Sequence, residues 1–157
     1  MAQAAPSLSD SEKSNEYLHI ERVIATKLPA SPIYAYILSD VTVLEATKGR
    51  VVCRLQLSKT HMNSGGGLHG SVSATIIDWM GGMAICSHTL EDSSGVSVDI
   101  HATYLSSVKD ADEIEIEGLA EKVGGSMAYT TVIIYKVETG KRGRLVVKGT
   151  HTKFVRS

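Results

Sequence analysis

The chain has 157 residues, of which 43% are hydrophobic and 21% are charged, and its formal net charge is −1. This length and apolar fraction suit a single domain with a substantial core, and the near-neutral charge lacks the basic surface typical of nucleic-acid-binding proteins. No apolar run approaches the roughly 18 residues that a membrane-spanning helix requires.

The N-terminal residues 1–14 are small and polar and predict a flexible tail. Residues 1–21 carry acidic side chains but no Arg and no long apolar run, unlike transit or signal peptides. We therefore expect a cytoplasmic protein, with mitochondrial import by another signal as the alternative. Cys53 and Cys86 lie within apolar patterns and are expected to be reduced core thiols, with one disulfide between them as the alternative.

Two helices and a hairpin are predicted in the first part of the chain. Residues 17–28 place apolar side chains at helical spacing, which predicts a short amphipathic helix ending near Pro29. Residues 33–47 and 50–58 are rich in Ile, Val, Tyr and Leu and predict two strands joined as a β-hairpin. Residues 68–88 have no polar stripe and predict a long buried helix.

Four strand-like segments follow the long helix, at residues 96–104, 113–117, 126–137 and 143–155. In the first segment Val96, Val98, Ile100 and Ala102 are expected to face the core, with Ser97 on the opposite face. Short connections pair strands antiparallel, and one face of the sheet must cover the apolar helix. The element order therefore predicts an α+β fold that forms a single domain over residues 15–157.

Asp78 is the one charged residue of the predicted long helix. Its neighbours one turn away, Ala74, Thr75, Gly81 and Gly82, are all small, which leaves room beside the carboxylate for a ligand or a water. An unpaired buried carboxylate is unfavourable, so such a group is usually functional or paired. The alternative to a functional role is an Asp that bonds Thr75 or a neighbouring backbone amide.

The segment 65–70, Gly-Gly-Gly-Leu-His-Gly, comes immediately before Ser71 in the long helix. Glycines allow a backbone to approach a ligand closely, and free amides at a helix N-terminus favour an oxyanion or a polarised carbonyl. A flexible loop before an ordinary helix start is the alternative. Nucleotide-binding glycine motifs and paired metal-ligand spacings do not occur in the sequence, so a metal site is not expected.

Residues 63–78 (Asn-Ser-Gly-Gly-Gly-Leu-His-Gly-Ser-Val-Ser-Ala-Thr-Ile-Ile-Asp) resemble the signature of hotdog-fold thioesterases, in particular the phenylacetate-pathway type of acyl-CoA thioesterase. Further matches are Gly-Val-Ser-Val-Asp at 95–99, Thr-Tyr-Leu-Ser at 103–106, and Gly149 with His-Thr-Lys at 151–153. The resemblance implies a hotdog fold, in which an antiparallel sheet of five or six strands wraps a long central helix. It also implies a homodimer, commonly paired into a homotetramer, with active sites at the dimer interface.

The resemblance also implies roles for individual residues. Asp78 matches the catalytic acid, as general base or alternatively as nucleophile, and the Gly70 amide would polarise the thioester carbonyl. Asn63 and His69, from the subunit that supplies Gly70, would position water and the thioester. Ser97, from the subunit that supplies Asp78, would orient the attacking water.

Other positions match the segments that line the coenzyme A channel of the family. These are Tyr104, Leu105, Ser106, Lys109, Lys122, Val123, Gly124, Gly125 and Ser126. Two departures are Ser71 and Ser107, where the family frequently has Gly and Pro. None of the departures removes a catalytic group.

The resemblance predicts hydrolysis of acyl-CoA thioesters. A thiolate leaves easily, so one carboxylate base and one amide donor suffice without a metal or cofactor, and coenzyme A is part of the substrate and product. One alternative is a non-catalytic hotdog scaffold that binds acyl-CoA or lipid. Another is a hydratase or dehydratase of acyl thioesters, whose differently spaced Asp and His pattern is not found here.

Overall fold

The computed structural model describes residues 13–156. The helices are α1 (Asn15–Lys27), α2 (Pro32–Ile37) and α3 (Gly70–Thr89), with a short 3-10 turn at Lys59–His61. The strands are β1 (Thr42–Thr47), β2 (Arg50–Gln56), β3 (Val96–Tyr104), β4 (Glu113–Val123), β5 (Met127–Glu138) and β6 (Lys141–Phe154). Of the tail expected over residues 1–14, residues 1–12 lie outside the described part. Ser14 is the N-cap of α1, and its hydroxyl accepts the Tyr17 N–H at 3.0 Å.

The strands form one six-stranded antiparallel sheet in the order β1-β2-β4-β5-β6-β3. Helix α3 packs across the inner face of this sheet, and most of its side chains are buried. The predicted α+β hotdog architecture, with a long central helix wrapped by an antiparallel sheet, is confirmed. Within the described residues, no helix is long and apolar enough to cross a membrane.

Two glycines of the sheet let α3 approach closely. A Cβ on Gly149 would lie 2.5 Å from Cδ1 of Ile77, and a Cβ on Gly118 would lie 2.6 Å from Cγ of Met80. Both distances are too short for real contacts, so glycine at these positions sets the depth at which the helix sits. Cys53 and Cys86 are buried free thiols, as predicted, and burial raises the pKa of Cys86 to about 11.

The predicted strand over residues 33–47 is wrong in its first part, because Pro32–Ile37 is a helix and β1 begins at Thr42. Proline is favoured at the first position of a helix, where its missing N–H leaves no bond unmade. The following residues also fit helical spacing, since Tyr34 packs against the core and Ile37 and Leu38, three and four positions later, are buried in it. A run this short does not distinguish the two periods.

The expected burial of one face of β3 is also wrong. Val96, Val98 and Ile100 are 66%, 55% and 40% exposed, because β3 is an edge strand, whereas Ala102 packs against the core. A register shift between residues 97 and 99 also reverses the predicted orientation of Ser97, whose side chain lies on the inner face of the sheet. Ser97 pairs with Lys153 and Ile100 with His151, and both partners point inward.

Candidate active site

The Asp78 carboxylate lies between α2 and β3, with 29% of its side chain exposed. The Tyr34 hydroxyl donates to Oδ2 at 2.5 Å, and the Ser97 hydroxyl donates to Oδ1 at 3.0 Å. Thr75, the local partner considered from the sequence, donates instead to the Ser71 carbonyl at 2.9 Å. The carboxylate is therefore held by two hydroxyls from distant parts of the chain and remains partly open to solvent.

His151 extends this network into the core. Its ring is fully buried, and Nε2 lies 2.9 Å from the Ser97 hydroxyl and 3.5 Å from Oδ1 of Asp78. Because Ser97 donates its proton to Asp78, it accepts from His151, which assigns the ring proton to Nε2. Burial lowers the pKa of His151, and the charge of Lys153 acts in the same direction, whereas Asp78 opposes both. The ring is therefore neutral at neutral pH.

The small residues around Asp78 make room for protein side chains. A Cβ on Gly81 would lie 2.9 Å from Nδ1 of His151 and 2.7 Å from the Thr130 hydroxyl. A Cβ on Gly82 would lie 2.9 Å from the Ser94 hydroxyl. Because these glycines have no side chain, the sheet and the loop before β3 can pack closely against α3. The space left for a ligand is the exposed side of the carboxylate itself.

A cavity of about 420 Å³ lies at the N-terminus of α3, eight residues before Asp78 in the chain. Its lining includes five of the residues predicted from the sequence, namely Asn63, Gly70, Tyr104, Leu105 and Ser106. The Tyr104 hydroxyl donates to the Gly70 carbonyl at 3.1 Å. Gly70 is the first residue of α3, where backbone N–H groups have no partner within the helix. The cavity thus presents an amide donor suited to a carbonyl oxygen.

Asn63 and His69 shape the loop that leads into this helix. Oδ1 of Asn63 accepts the N–H groups of Gly65 at 2.9 Å and Gly67 at 3.2 Å, which orders the glycine loop. His69 is the N-cap of α3, and its Nδ1 accepts the Ser71 N–H at 3.1 Å. The proton of the His69 ring is therefore on Nε2. His69 is exposed and is not among the residues that line the cavity.

The predicted catalytic residues thus form two separate groups in the folded chain. We name Tyr34, Asp78, Ser97 and His151 the acid half-site, and Asn63, Gly70 and Tyr104 with their cavity the amide half-site. Asp78 follows Gly70 by eight residues, a rise of about 12 Å along α3. The two half-sites are complementary in chemistry but are separated within one chain.

Of the remaining predicted substrate-binding residues, Lys109, Val123, Gly124 and Gly125 line two further cavities, whereas Lys122 and Ser126 line neither. Lys109 lines one of about 280 Å³, together with Lys136 and Arg144. Ser107 belongs to both this cavity and that of the amide half-site. The segment 122–126 lies at the turn between β4 and β5. Its residues Val123, Gly124 and Gly125 line a cavity of about 170 Å³ beside the C-terminal end of α3, far along the helix from Gly70.

The arrangement offers acid–base and hydrogen-bonding chemistry. A partly exposed carboxylate held by two hydroxyls can accept a proton from water, and an amide at a helix N-terminus can stabilise a developing oxyanion. Within residues 13–156, no group of three or more His, Cys, Asp or Glu side chains is placed to hold a metal ion.

Known proteins are similar to this chain in both sequence and fold. A family model described as thioesterase superfamily matches residues 65–142. Human acyl-coenzyme A thioesterase 13 is 36% identical over 117 residues, which are 74% of this chain and 81% of that protein. The crystal structure of zebrafish thioesterase superfamily member 2 has a TM-score of 0.74 at 36% identity, covering 85% of this chain and 93% of that one. The chain belongs to the thioesterase superfamily.

A more distant member of this superfamily has been solved with coenzyme A. It is a hypothetical thioesterase from Streptococcus pneumoniae, 28% identical with a TM-score of 0.69 over 80% of this chain and 93% of that one.

Three residues around Asp78 have no role predicted from the sequence, namely Tyr34, His151 and Lys153. The sequence pattern predicts a strand at Tyr34, and no local signal marks it as a partner of Asp78. His151 and Lys153 belong to the matched segment of β6, and the resemblance assigns neither a role. A signal was available for both, because they alternate with Gly149 at inward positions of a strand, where polar side chains are unusual.

Proposed function

We propose that the chain hydrolyses acyl-CoA thioesters to a free carboxylic acid and coenzyme A. The single observation that carries this proposal is the Asp78 carboxylate, partly exposed and held through Ser97 by the buried His151. The named relatives, which include human acyl-coenzyme A thioesterase 13, support the substrate class.

In the proposed reaction Asp78 acts as general base. A water bound beside the carboxylate attacks the thioester carbonyl carbon while Asp78 accepts one of its protons. Ser97 donates its own proton to Asp78 and accepts one from His151, so a second lone pair of its oxygen is left to orient the water. The neutral His151 keeps this proton arrangement in place.

The carbonyl oxygen is assigned to the amide half-site. The Gly70 N–H, joined by the side-chain amide of Asn63, stabilises the oxyanion of the tetrahedral intermediate. The intermediate then collapses, the carbon–sulfur bond breaks, and coenzyme A leaves as a thiolate that takes the proton held by Asp78. The reaction needs no metal or cofactor, because a thiolate is already a good leaving group.

We further propose that each site combines Asp78 of one chain with Gly70 of a second chain. Support comes from their separation along α3 and from the free edge of β3, where Val96, Val98 and Ile100 are exposed. Pairing two β3 edges would satisfy the open strand and bury these side chains. The resemblance adds a further pairing of such homodimers into a homotetramer.

The nucleotide end of coenzyme A is proposed to lie near Lys109. Of the three cations at that cavity, Lys136 is paired with Asp112 at 2.9 Å and Arg144 with Glu138 at 3.2 Å. Lys109 makes no ion pair with any residue from 13 to 156, so its charge is available for a phosphate. Ser107 connects this cavity to the amide half-site.

The proposal is tested by a steady-state assay of free thiol release from a panel of acyl-CoA substrates of different chain length and aromatic character. We expect turnover by the wild-type chain and a loss of about 10²- to 10⁴-fold in Asp78→Asn, which keeps the shape of the side chain but not the base. Asp40→Asn serves as the matched control, because Asp40 is exposed and lies outside both half-sites. If the wild-type chain bound acyl-CoA without releasing thiol, it would be a non-catalytic scaffold and the proposal would be refuted.

A further inference from the structure

Tyr34 makes the shortest hydrogen bond to Asp78 and comes from a part of the chain that no sequence motif connects to the site. Its hydroxyl donates to Oδ2 at 2.5 Å, the distance of a charge-assisted bond between a hydroxyl and a carboxylate. Since Ser97 donates to Oδ1, each carboxylate oxygen accepts one hydroxyl bond, and the two bonds together restrict the orientation of the carboxylate. One lone pair on each oxygen is left for water.

The short helix that carries Tyr34 is itself anchored in the core. Ile37 and Leu38 are buried, and the Leu38 N–H donates to the Tyr34 carbonyl at 2.7 Å. The buried His61 accepts the Ser58 N–H on Nδ1 at 2.9 Å, so its Nε2–H donates to the Ile37 carbonyl at 2.8 Å. The backbone of α2 is therefore held against the rest of the domain, which places the Tyr34 ring.

We propose that Tyr34 is a positioning residue for the Asp78 base, whose hydroxyl holds Oδ2 so that the carboxylate accepts a proton from the attacking water. This inference rests on the proposed thioester hydrolysis. Burial raises the pKa of the Tyr34 phenol far above its usual range, and its bond to Asp78 acts in the same direction. The phenol therefore remains a donor throughout the working pH range.

The titratable and charged groups that face Asp78 come from two elements. Tyr34 approaches from α2, and His151 and Lys153 approach from β6, while Asp99 of β3 acts on His151. A hydroxyl bonded to a carboxylate oxygen restricts its orientation, so removing the Tyr34 hydroxyl lets the Asp78 side chain turn away from the attacking water. The loss should then fall on kcat and not on KM, while His151 and Lys153 stay the same in both proteins.

The test compares Tyr34→Phe with Tyr36→Phe in steady-state kinetics of the intact chain. Tyr36 lies on the same helix, is 70% exposed and has no hydrogen-bond partner for its hydroxyl among residues 13–156, so it is a matched control. For Tyr34→Phe we expect kcat to fall about tenfold, which corresponds to about 1.4 kcal/mol, with KM nearly unchanged. Tyr36→Phe should match the wild type in both constants.

The outcomes separate this inference from the proposed function. A wild-type chain without turnover, or an unimpaired Asp78→Asn, would refute the hydrolysis itself. If wild type is active and Asp78→Asn is not, a Tyr34→Phe variant that keeps the wild-type kcat would overturn the role of Tyr34, even where its KM rises or its melting temperature falls. An equal fall of kcat in Tyr36→Phe would overturn it as well.

Discussion

The acid and amide half-sites are built in opposite ways. The amide half-site is mostly local: Asn63 binds the amides of Gly65 and Gly67, and the loop runs directly into the first turn of α3. The acid half-site draws one side chain each from α2, α3, β3 and β6, so it exists only when the whole domain is folded.

This difference affects how each half responds to substitution. The central donor of the amide half-site is a backbone N–H, which a side-chain change at most positions leaves intact. The acid half-site depends on side-chain hydroxyls and an imidazole, and its members share hydrogen bonds, so their effects should be strongly coupled. The amide half-site is therefore best tested by a substitution that removes a backbone N–H. The acid half-site is best tested by substitutions that each remove one polar side-chain group.

The largest effect among these tests is expected for Gly70→Pro. Proline is tolerated at the first position of a helix, and His69 before it already has the extended backbone that a following proline requires. The substitution thus removes the N–H while retaining the helix start. Loss of one oxyanion donor typically lowers kcat about 10²- to 10³-fold, measured by thiol release.

Gly70→Ala is the matched control for this prediction. It keeps the N–H, and its Cβ would meet the Tyr104 ring at 3.4 Å or more, which is an ordinary contact. We expect near wild-type turnover from the alanine variant. Equal losses in both variants would mean that the cavity needs the space at Gly70 and not its amide.

A mixed dimer tests whether the two half-sites meet across chains. Asp78→Asn and Gly70→Pro chains carrying different tags are co-expressed, and the dimer bearing both tags is purified. If each site takes Asp78 from one chain and Gly70 from the other, one site of the mixed dimer is intact, and about half of the wild-type activity per dimer returns. Sites contained in single chains would give no recovery.

The local character of the amide half-site explains why its residues can be grouped from the sequence. Asn63, Gly70 and the helix start lie within one short segment, and the match to a family signature covers them together with Asp78. The cavity also includes Tyr104, Leu105 and Ser106, which the resemblance assigns to the coenzyme A channel. Short connections predict antiparallel pairing, but they do not predict that β3 pairs with β6 at the edge of the sheet.

The acid half-site was predictable only in part, for two physical reasons. Tyr34 is carried by a helix of six residues, too short for its apolar pattern to distinguish helix from strand. The Ser97 hydroxyl does bond Asp78, on whose side the resemblance places it, but the predicted face of β3 is wrong, because the strand has a bulge and one extra residue reverses the alternation of side chains. The bulge has no signal in a single sequence.

Ser97→Ala should have a smaller effect than Gly70→Pro. It removes the hydroxyl that joins His151 to Asp78, and a hydrogen bond to a charged group contributes about 1.5–3 kcal/mol. We expect kcat to fall about 10- to 100-fold while KM changes little, since the oriented water matters mainly in the transition state. Thr103→Val, on the outer face of the same strand, should leave both constants unchanged. If Ser97→Ala altered only the melting temperature and neither kinetic constant, Ser97 would have no role in the reaction.

The smallest effect concerns stability at acidic pH. Because burial holds the pKa of His151 below its ordinary value of about 6.5, the folded chain binds fewer protons at this ring than the unfolded chain does. The stability linked to the neutral ring is therefore fully present above pH 6.5 and is lost as the pH falls below it. Melting temperatures measured from pH 7 to pH 5 should decline less steeply in His151→Asn than in the wild type. Equal slopes in the two proteins would contradict a neutral His151 and with it the proton arrangement that runs through Ser97 to Asp78.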